Sequence, residues 1–175
     1  GLDLLDYSAY TTPVNVHLLP GTATGTAGVS GIEHVFGGSN NDTLTGDLNA
    51  NLLAGGAGND SLTGKDGSDT LDGGLGVDTL TGGLGDDVFY VDSDLDLVRE
   101  NTAEGPDTVH STAVYYKIAD RDVENLVLAG TGNQDGTGNR SANTLSGNNA
   151  NNLLNGLDGY DTLYDSDGSG VIKIG

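Results

Sequence analysis

A nine-residue period runs without interruption from Gly37 to Tyr90. It consists of six consecutive blocks: GGSNNDTLT, GDLNANLLA, GGAGNDSLT, GKDGSDTLD, GGLGVDTLT and GGLGDDVFY. Glycine fills the first position of every block, and a large apolar residue fills the eighth. The sixth position is aspartate in five blocks and asparagine, Asn51, in one. A fixed period with fixed chemistry at each position predicts a stack of similar coils, a solenoid.

Each position of the block has a physical role. Glycine allows a positive φ and a close approach of backbones, which predicts a tight turn. The apolar residue at the eighth position predicts a minimal strand with one side chain pointing inward. A turn of this kind directs carbonyl oxygens inward, and the aspartate adds a carboxylate. Calcium takes roughly six to eight oxygen ligands in flexible geometry, so two turns on adjacent coils could complete one site.

GGAGNDSLT, GGLGVDTLT and GGLGDDVFY resemble GGxGxDxUx, in which U is large and apolar. This is the calcium-binding nonapeptide of the RTX (repeats-in-toxin) family of bacterial exported proteins. The resemblance implies an all-β fold, a right-handed parallel β-roll with two nonapeptides per coil and calcium ions in the turns. It also implies export by the type I secretion machinery and a secreted, extracellular or cell-surface location. We further expect a monomeric module within a larger chain.

If two blocks make one coil, blocks two apart stack. The aspartates at the sixth position then form two rows, and Asp96 falls at the phase that continues one of them. We predict that these aspartates, acidic residues near the C-terminus and the turn glycines bind calcium. The predicted ligands are Asp42, Asp60, Asp69, Asp78, Asp87, Asp96, Asp161, Asp165, Asp167, Gly37, Gly55, Gly58, Gly64, Gly73, Gly76, Gly82 and Gly85.

The period also divides the chain. We predict irregular lead-in coils at 1–36, the regular array at 37–90, β-rich linking coils at 91–137 and a second array at 138–175, all in one continuous solenoid. The second array carries Asn143 and Asn152 at the sixth position before aspartate returns at Asp161. Because asparagine lacks charge, we expect this array to be mainly structural, with asparagines hydrogen-bonded in ladders.

Charge excludes several functions. The chain has 26 acidic and 6 basic residues and a net charge of −20, so we expect no binding to nucleic acid or to an anionic membrane surface. Asp outnumbers Glu by 22 to 4, which favours tight ion-binding turns over a solvating acidic tail. Cysteine is absent, so neither a disulfide nor a thiolate ligand is available. No apolar run is long enough to span a membrane.

Each block buries only one large side chain against the conformational entropy of nine residues, so we expect calcium binding to drive folding. The histidines His17, His34 and His110 are isolated and no nucleophile motif occurs, so we expect no enzymatic activity in this chain.

Two functions stay open. One is a calcium-dependent folding and secretion module of a larger protein, whose activity lies elsewhere, for example a lipase, peptidase or epimerase. The other is a spacer or adhesive block of a giant surface protein. Binding of ice or polysaccharide would need long threonine ranks, which look interrupted in this sequence.

Overall fold

The computed structural model describes residues 1–100, 104–119, 122–166 and 170–173. Within these residues the secondary structure is entirely β, in short strands separated by turns. The strands are β1 (Leu4–Asp6), β2 (Asn15–His17), β3 (Thr22–Ala23), β4 (His34–Phe36), β5 (Thr43–Thr45), β6 (Leu52–Ala57), β7 (Ser61–Asp66), β8 (Thr70–Leu75), β9 (Thr79–Leu84), β10 (Val88–Val91), β11 (Leu97–Arg99), β12 (Thr108–Ser111), β13 (Tyr115–Lys117), β14 (Asn125–Leu128), β15 (Asp135–Thr137), β16 (Thr144–Ser146), β17 (Leu153–Asn155), β18 (Thr162–Tyr164) and β19 (Val171–Lys173).

Successive strands of the array alternate between two facing sheets. One sheet has nine strands in the order β1-β4-β6-β8-β10-β12-β14-β16-β18. On the other side lie a six-stranded sheet, β11-β9-β7-β5-β2-β3, and a four-stranded sheet, β13-β15-β17-β19. Leu53 pairs with Leu71 and Leu71 with Phe89, all in parallel, so one coil contains two nonapeptides. The predicted β-solenoid of the β-roll type is confirmed.

The eighth-position side chains form the core between the sheets. All six of the regular array are fully buried: Leu44, Leu53, Leu62, Leu71, Leu80 and Phe89. The ladder continues beyond the array with Val98, Val109, Leu126, Leu145 and Leu154. Gly136 interrupts it between Tyr116 and Leu154, and a Cβ there would meet the side chains of Leu126, Leu128 and Leu154. Neighbouring leucines therefore occupy the space that the missing side chain leaves.

The lead-in differs from a parallel coil at one pair of strands. β3 pairs with β2 antiparallel, with Val16 opposite Ala23. The chain reverses at Gly21, which has φ +85° and donates its N–H to the carbonyl of His17. Because β3 is the last strand of its sheet, this short hairpin covers an edge that another chain could otherwise pair with.

The linking segment changes the spacing of the stack without breaking the long sheet. Phe89 pairs with Val109, Val109 with Leu126 and Leu126 with Leu145, in place of the regular offset of the array. The opposite side is divided here, between β11 and β13. The four-part division of the chain stays a prediction. Among the described residues, no helix has the length and hydropathy required to cross a membrane.

Candidate metal centre

The sixth-position side chains stack in two rows, as the two-block coil requires. In each row, one carboxylate oxygen accepts the backbone N–H of the sixth residue in the preceding coil. Asp42 N–H donates to Asp60 Oδ1 at 2.7 Å and Asp60 N–H to Asp78 Oδ1 at 2.7 Å. In the second row, Asp69 N–H donates to Asp87 Oδ1 at 2.7 Å. These bonds fix the carboxylates and aim their second oxygens into the turn.

Those second oxygens have no hydrogen-bond partner. The unpartnered, buried Oδ2 atoms are those of Asp60, Asp69, Asp78, Asp87, Asp107 and Asp161. In the regular array the four aspartates are at most 3% exposed. A buried carboxylate oxygen without a donor or a counter-ion is strongly unfavourable. The turns therefore lack a positively charged or hydrogen-bonding partner.

Carbonyl oxygens converge on the same places. A Cβ built on Gly55 would overlap Asp60 Oδ2 and would lie 2.7 Å from the carbonyl oxygen of Gly73 in the next coil. At Gly64 the same space is bounded by Asp69 Oδ2 and the carbonyl oxygen of Gly82, at 2.8 Å. A set of ligand atoms that are all oxygen, buried and in part negatively charged fits a hard cation such as calcium.

These turns share one backbone conformation, which we call the open turn. Its second and fourth residues have positive φ, for example Gly56 (+102°) and Gly58 (+137°). A Cβ on Gly76, a fourth residue, would overlap the carbonyl of Gly58 in the preceding coil. The fourth residue is therefore glycine for two reasons, conformation and contact. Open turns occur at Gly56/Gly58, Lys65/Gly67, Gly74/Gly76, Gly83/Gly85 and Leu157/Gly159.

Other blocks form a different turn, which we call the closed turn. There the N–H of the second residue donates to the sixth side chain, as from Asn148 to Asn152 Oδ1 at 2.8 Å. The asparagine amide also donates, as from Asn152 Nδ2 to the carbonyl of Gln134 at 2.9 Å. The amides of Asn143 and Asn152 thus bond to the backbone, in place of the asparagine ladder that we expected, whereas Asn51 Nδ2 is buried without a partner. Closed turns occur at Gly38/Asp42, Asp47/Asn51, Asp92/Asp96, Gly130/Gln134, Asn139/Asn143 and Asn148/Asn152.

The remaining predicted ligands lie in varied settings. Asp42 is in a closed turn, where Gly38 N–H donates to its Oδ2 at 2.5 Å. Asp96 continues the Asp78 row, but its Oδ2 accepts the N–H groups of Asp92 and Ser93 at 3.1 and 3.0 Å. Asp165 accepts Gly170 N–H and keeps a buried, unpartnered Oδ1. Asp167 lies outside the described residues. All ligand assignments stay predictions, and the geometry favours the open turns.

Burial shapes the electrostatics of the metal-free site. Burial, together with the neighbouring carboxylates and against the opposing backbone hydrogen bonds, raises the pKa of Asp60 to about 6 and the pKa of Asp69 to about 7. Burial also raises the pKa of Asp78 and of Asp87. A bound cation would stabilise the ionised form of each group.

Two buried carboxylates escaped the repeat pattern. Asp107 stacks on Asp87, whose N–H donates to Asp107 Oδ1 at 2.9 Å. Because Asp107 lies twenty residues after Asp87 and not eighteen, the period of the array does not predict this contact. Glu100 lies eighteen residues after Gly82, where the regular array would place glycine. The signal that could have identified Asp107 is Gly105, a glycine with φ +149° two residues before an aspartate, as in the open turns.

The fold and the site define a class of protein, a β-roll with turns that present buried carboxylate and carbonyl oxygens. The family model described as RTX calcium-binding nonapeptide repeat matches residues 27–62, 63–98 and 128–168. Together these segments cover more than half of the chain, and the chain belongs to the RTX calcium-binding nonapeptide repeat family. A comparison with curated proteins found no match.

Proposed function

We propose that this chain is a calcium-dependent folding module that orders the exported part of a larger bacterial protein. The observation that carries the proposal is the set of buried, unpartnered Oδ2 atoms in four consecutive open turns, those of Asp60, Asp69, Asp78 and Asp87. We assign the aspartate Oδ2 atoms and the turn carbonyls of these blocks as calcium ligands. In this role the module acts by binding and ordering, and any catalytic activity belongs to the rest of the protein.

Ion binding and folding are coupled in this proposal. Without cations, the open turns would bury several carboxylates with few compensating contacts, because each block adds one apolar side chain to the core. Ligands that bind the folded state alone add their binding free energy to its stability. Extracellular calcium modules typically bind at about 10⁻⁴–10⁻³ M. Such sites stay empty inside the cell and fill outside, which suits export of an unfolded chain through a type I secretion channel.

A calcium titration followed by circular dichroism tests this function. We expect the β signal to rise cooperatively as calcium reaches about 10⁻⁴–10⁻³ M. Magnesium at the same concentration serves as the control, since its smaller octahedral shell fits these turns poorly. The proposal fails if the β signal does not change up to about 10 mM calcium.

One surface supports the second candidate, a spacer or adhesive block. The strands β5, β7 and β9 align Thr45, Thr63 and Thr81 in an unbroken rank, beside Thr43, Ser61 and Thr79. The sequence alone suggested interrupted ranks, because Thr70 belongs to the other sheet. A Thr63→Lys variant distinguishes the functions. If the module only folds and supports export, this change leaves calcium-dependent folding and secretion intact. If the face adheres to polysaccharide, the variant loses retention on a polysaccharide column.

A further inference from the structure

Three buried carboxylates meet where the regular array joins the linking coils. One oxygen from each of Asp87, Glu100 and Asp107 lies within 4.8 Å of the others. Their exposed fractions are 1%, 6% and 1%. Glu100 and Asp107 lie outside the nonapeptide motif. The cluster therefore differs in composition from the other open turns of the array, each of which presents a single sixth-position carboxylate with turn carbonyls.

Glu100 occupies the place of a glycine carbonyl. Beside Gly55 and Gly64, the space next to the aspartate is bounded by the carbonyl oxygen of the glycine eighteen residues later. The residue eighteen positions after Gly82 is Glu100, and its Oε1 bounds the space beside Gly82 together with Asp87 Oδ2. Gly82 N–H donates to Oε1 at 2.9 Å and Gly83 N–H to Oε2 at 3.3 Å, which holds the carboxylate in the turn. A charged ligand has replaced a neutral one.

The aspartates supply an independent observation that points to a ligand. Oδ2 of Asp87 and Oδ2 of Asp107 are both buried and have no hydrogen-bond partner. Asp107 is held in position because its Oδ1 accepts Asp87 N–H and its own N–H donates to Glu124 Oε2, both at 2.9 Å. Two fixed, unpartnered oxygens beside a third carboxylate are costly in the folded state unless a cation neutralises them.

We propose that Asp87, Glu100 and Asp107 form a three-carboxylate calcium site that binds the ion more tightly than the repeat turns. The identity of the ion rests on the proposed function, but the difference in affinity is argued from Glu100 and Asp107 themselves. Calcium affinity increases with the number of charged ligands and with the rigidity of the site. Filled first, this site fixes the end of the array to the linking coils.

Calorimetric titration of the full chain with calcium chloride tests the proposal. The wild type is compared with Glu100→Gln, with Asp60→Asn in a repeat turn, and with Glu33→Gln. The last is a matched control, because Glu33 lies outside the array and its carboxylate accepts the N–H of Asp3 at 2.7 Å. We expect Glu100→Gln to weaken the tightest ion by at least about tenfold. Asp60→Asn should affect only the weaker ions, and Glu33→Gln neither class.

The outcomes separate the two proposals. If Glu100→Gln binds every ion as the wild type does, while Asp60→Asn loses affinity, the three-carboxylate site is wrong and the proposed function stands. If the wild type takes up no calcium, the proposed function fails, and the tight site fails with it.

A measurement on the wild type covers the case in which Glu100→Gln does not fold. Substoichiometric gadolinium chloride is added to calcium-saturated protein and amide signals are followed by NMR. A trivalent ion gains most where three carboxylates meet, so it should displace calcium there first. We expect the amides of Gly82 and Gly83 to broaden before all others. Earlier broadening at Gly55 or Gly64 would overturn the proposal.

Discussion

The turns at 55–90 and those at 138–155 have the same nine-residue spacing and the same buried leucine ladder, but opposite hydrogen-bonding chemistry. In the first region, Asp69 Oδ2 is buried without a donor. In the second, Asn152 Nδ2 donates to the carbonyl of Gln134 at 2.9 Å. An amide N–H therefore supplies within the chain the kind of partner that the first region lacks. One scaffold thus supports a turn with an unpartnered carboxylate oxygen and a turn whose sixth side chain is hydrogen-bonded.

The fourth residue of the block separates the two kinds of turn. It is glycine with positive φ in each open turn, for example Gly85. In the closed turns it is Asn40, Asn49, Asp94, Ser141, Ala150 or Gly132, and Gly132 does not have the positive φ of the open-turn glycines. The sixth residue separates them less well, because Asp42 is an aspartate in a closed turn. Backbone conformation thus decides whether the second N–H satisfies the sixth side chain or turns away from it.

Removal of calcium should produce the largest contrast between the regions. Solenoid stability is close to a sum of local terms, so the two regions can open separately. An ion at about one hundred times its dissociation constant adds about 2.7 kcal/mol. We expect chelation to reduce hydrogen-exchange protection of Leu62 and Leu71 by on the order of 100-fold or more, and that of Leu154 much less. Equal losses in both regions would contradict the comparison.

Asn152→Asp should damage the closed turn whether or not calcium is present. The change removes the Nδ2 donation to Gln134 and places a buried carboxylate beside that carbonyl. Breaking a buried polar network of this kind costs about 2–4 kcal/mol. Urea unfolding with and without calcium measures it, with Asn151→Asp on the exposed neighbour as control. Full recovery in calcium would show that the sixth residue alone creates an ion site, against the role of the fourth.

The effect of Asp69→Asn on the stability of the fold should have opposite signs with and without calcium. In saturating calcium the variant loses a charged ligand, and we expect it to be less stable than the wild type by about 1–3 kcal/mol. Without calcium it relieves a buried, unpartnered carboxylate oxygen, so it should be more folded than the wild type in a stabilising osmolyte. Circular dichroism in both conditions measures the effect. The exposed Asp94→Asn has the same change of charge and should show neither effect. The same sign in both conditions would argue against a cation at Asp69.

Acid should stabilise the metal-free fold and weaken calcium binding. Burial raises the pKa of Asp60 to about 6 and of Asp69 to about 7, so between about pH 4 and 7 the metal-free fold binds more protons than the unfolded chain. Its stability therefore increases as pH falls through this window. Calcium needs the ionised carboxylates, so the midpoint of its titration should rise by about tenfold per pH unit below the pKa for each proton displaced. A midpoint independent of pH would indicate that ions bind elsewhere.

Much of this architecture was predictable from the sequence, because the period sets the coil and the eighth position sets the core. The stacking of Asp60 on Asp78 follows from the two-block coil and needed no further information. The two kinds of turn were harder to predict, since Asp42 and Asp60 occupy the same position and differ only through Asn40 and Gly58. Asp107 could not be placed, because the offset between Phe89 and Val109 departs from the period, and Glu100 could not because it stands where the block has glycine. Local insertions change which residues meet, and the pattern of a single block does not contain them.

The smallest expected effect distinguishes the second residue of an open turn from the fourth. Lys65 is a second residue with φ +93°, a conformation that side chains rarely adopt and that glycine adopts freely. Lys65→Gly should therefore stabilise the calcium-bound module by about 1 kcal/mol, even though it removes the long contact from Nζ to the carbonyl of Leu19 at 3.4 Å. Gly67→Ala is the matched change at the fourth residue, where a Cβ would lie 2.6 Å from the carbonyl carbon of Asn49. It should destabilise by more than Lys65→Gly gains, as measured by thermal unfolding in calcium. The opposite result would be that Lys65→Gly destabilises the module and Gly67→Ala does not. The open turn would then depend on side-chain contacts of its second residue, and not on the backbone conformation that separates the two regions.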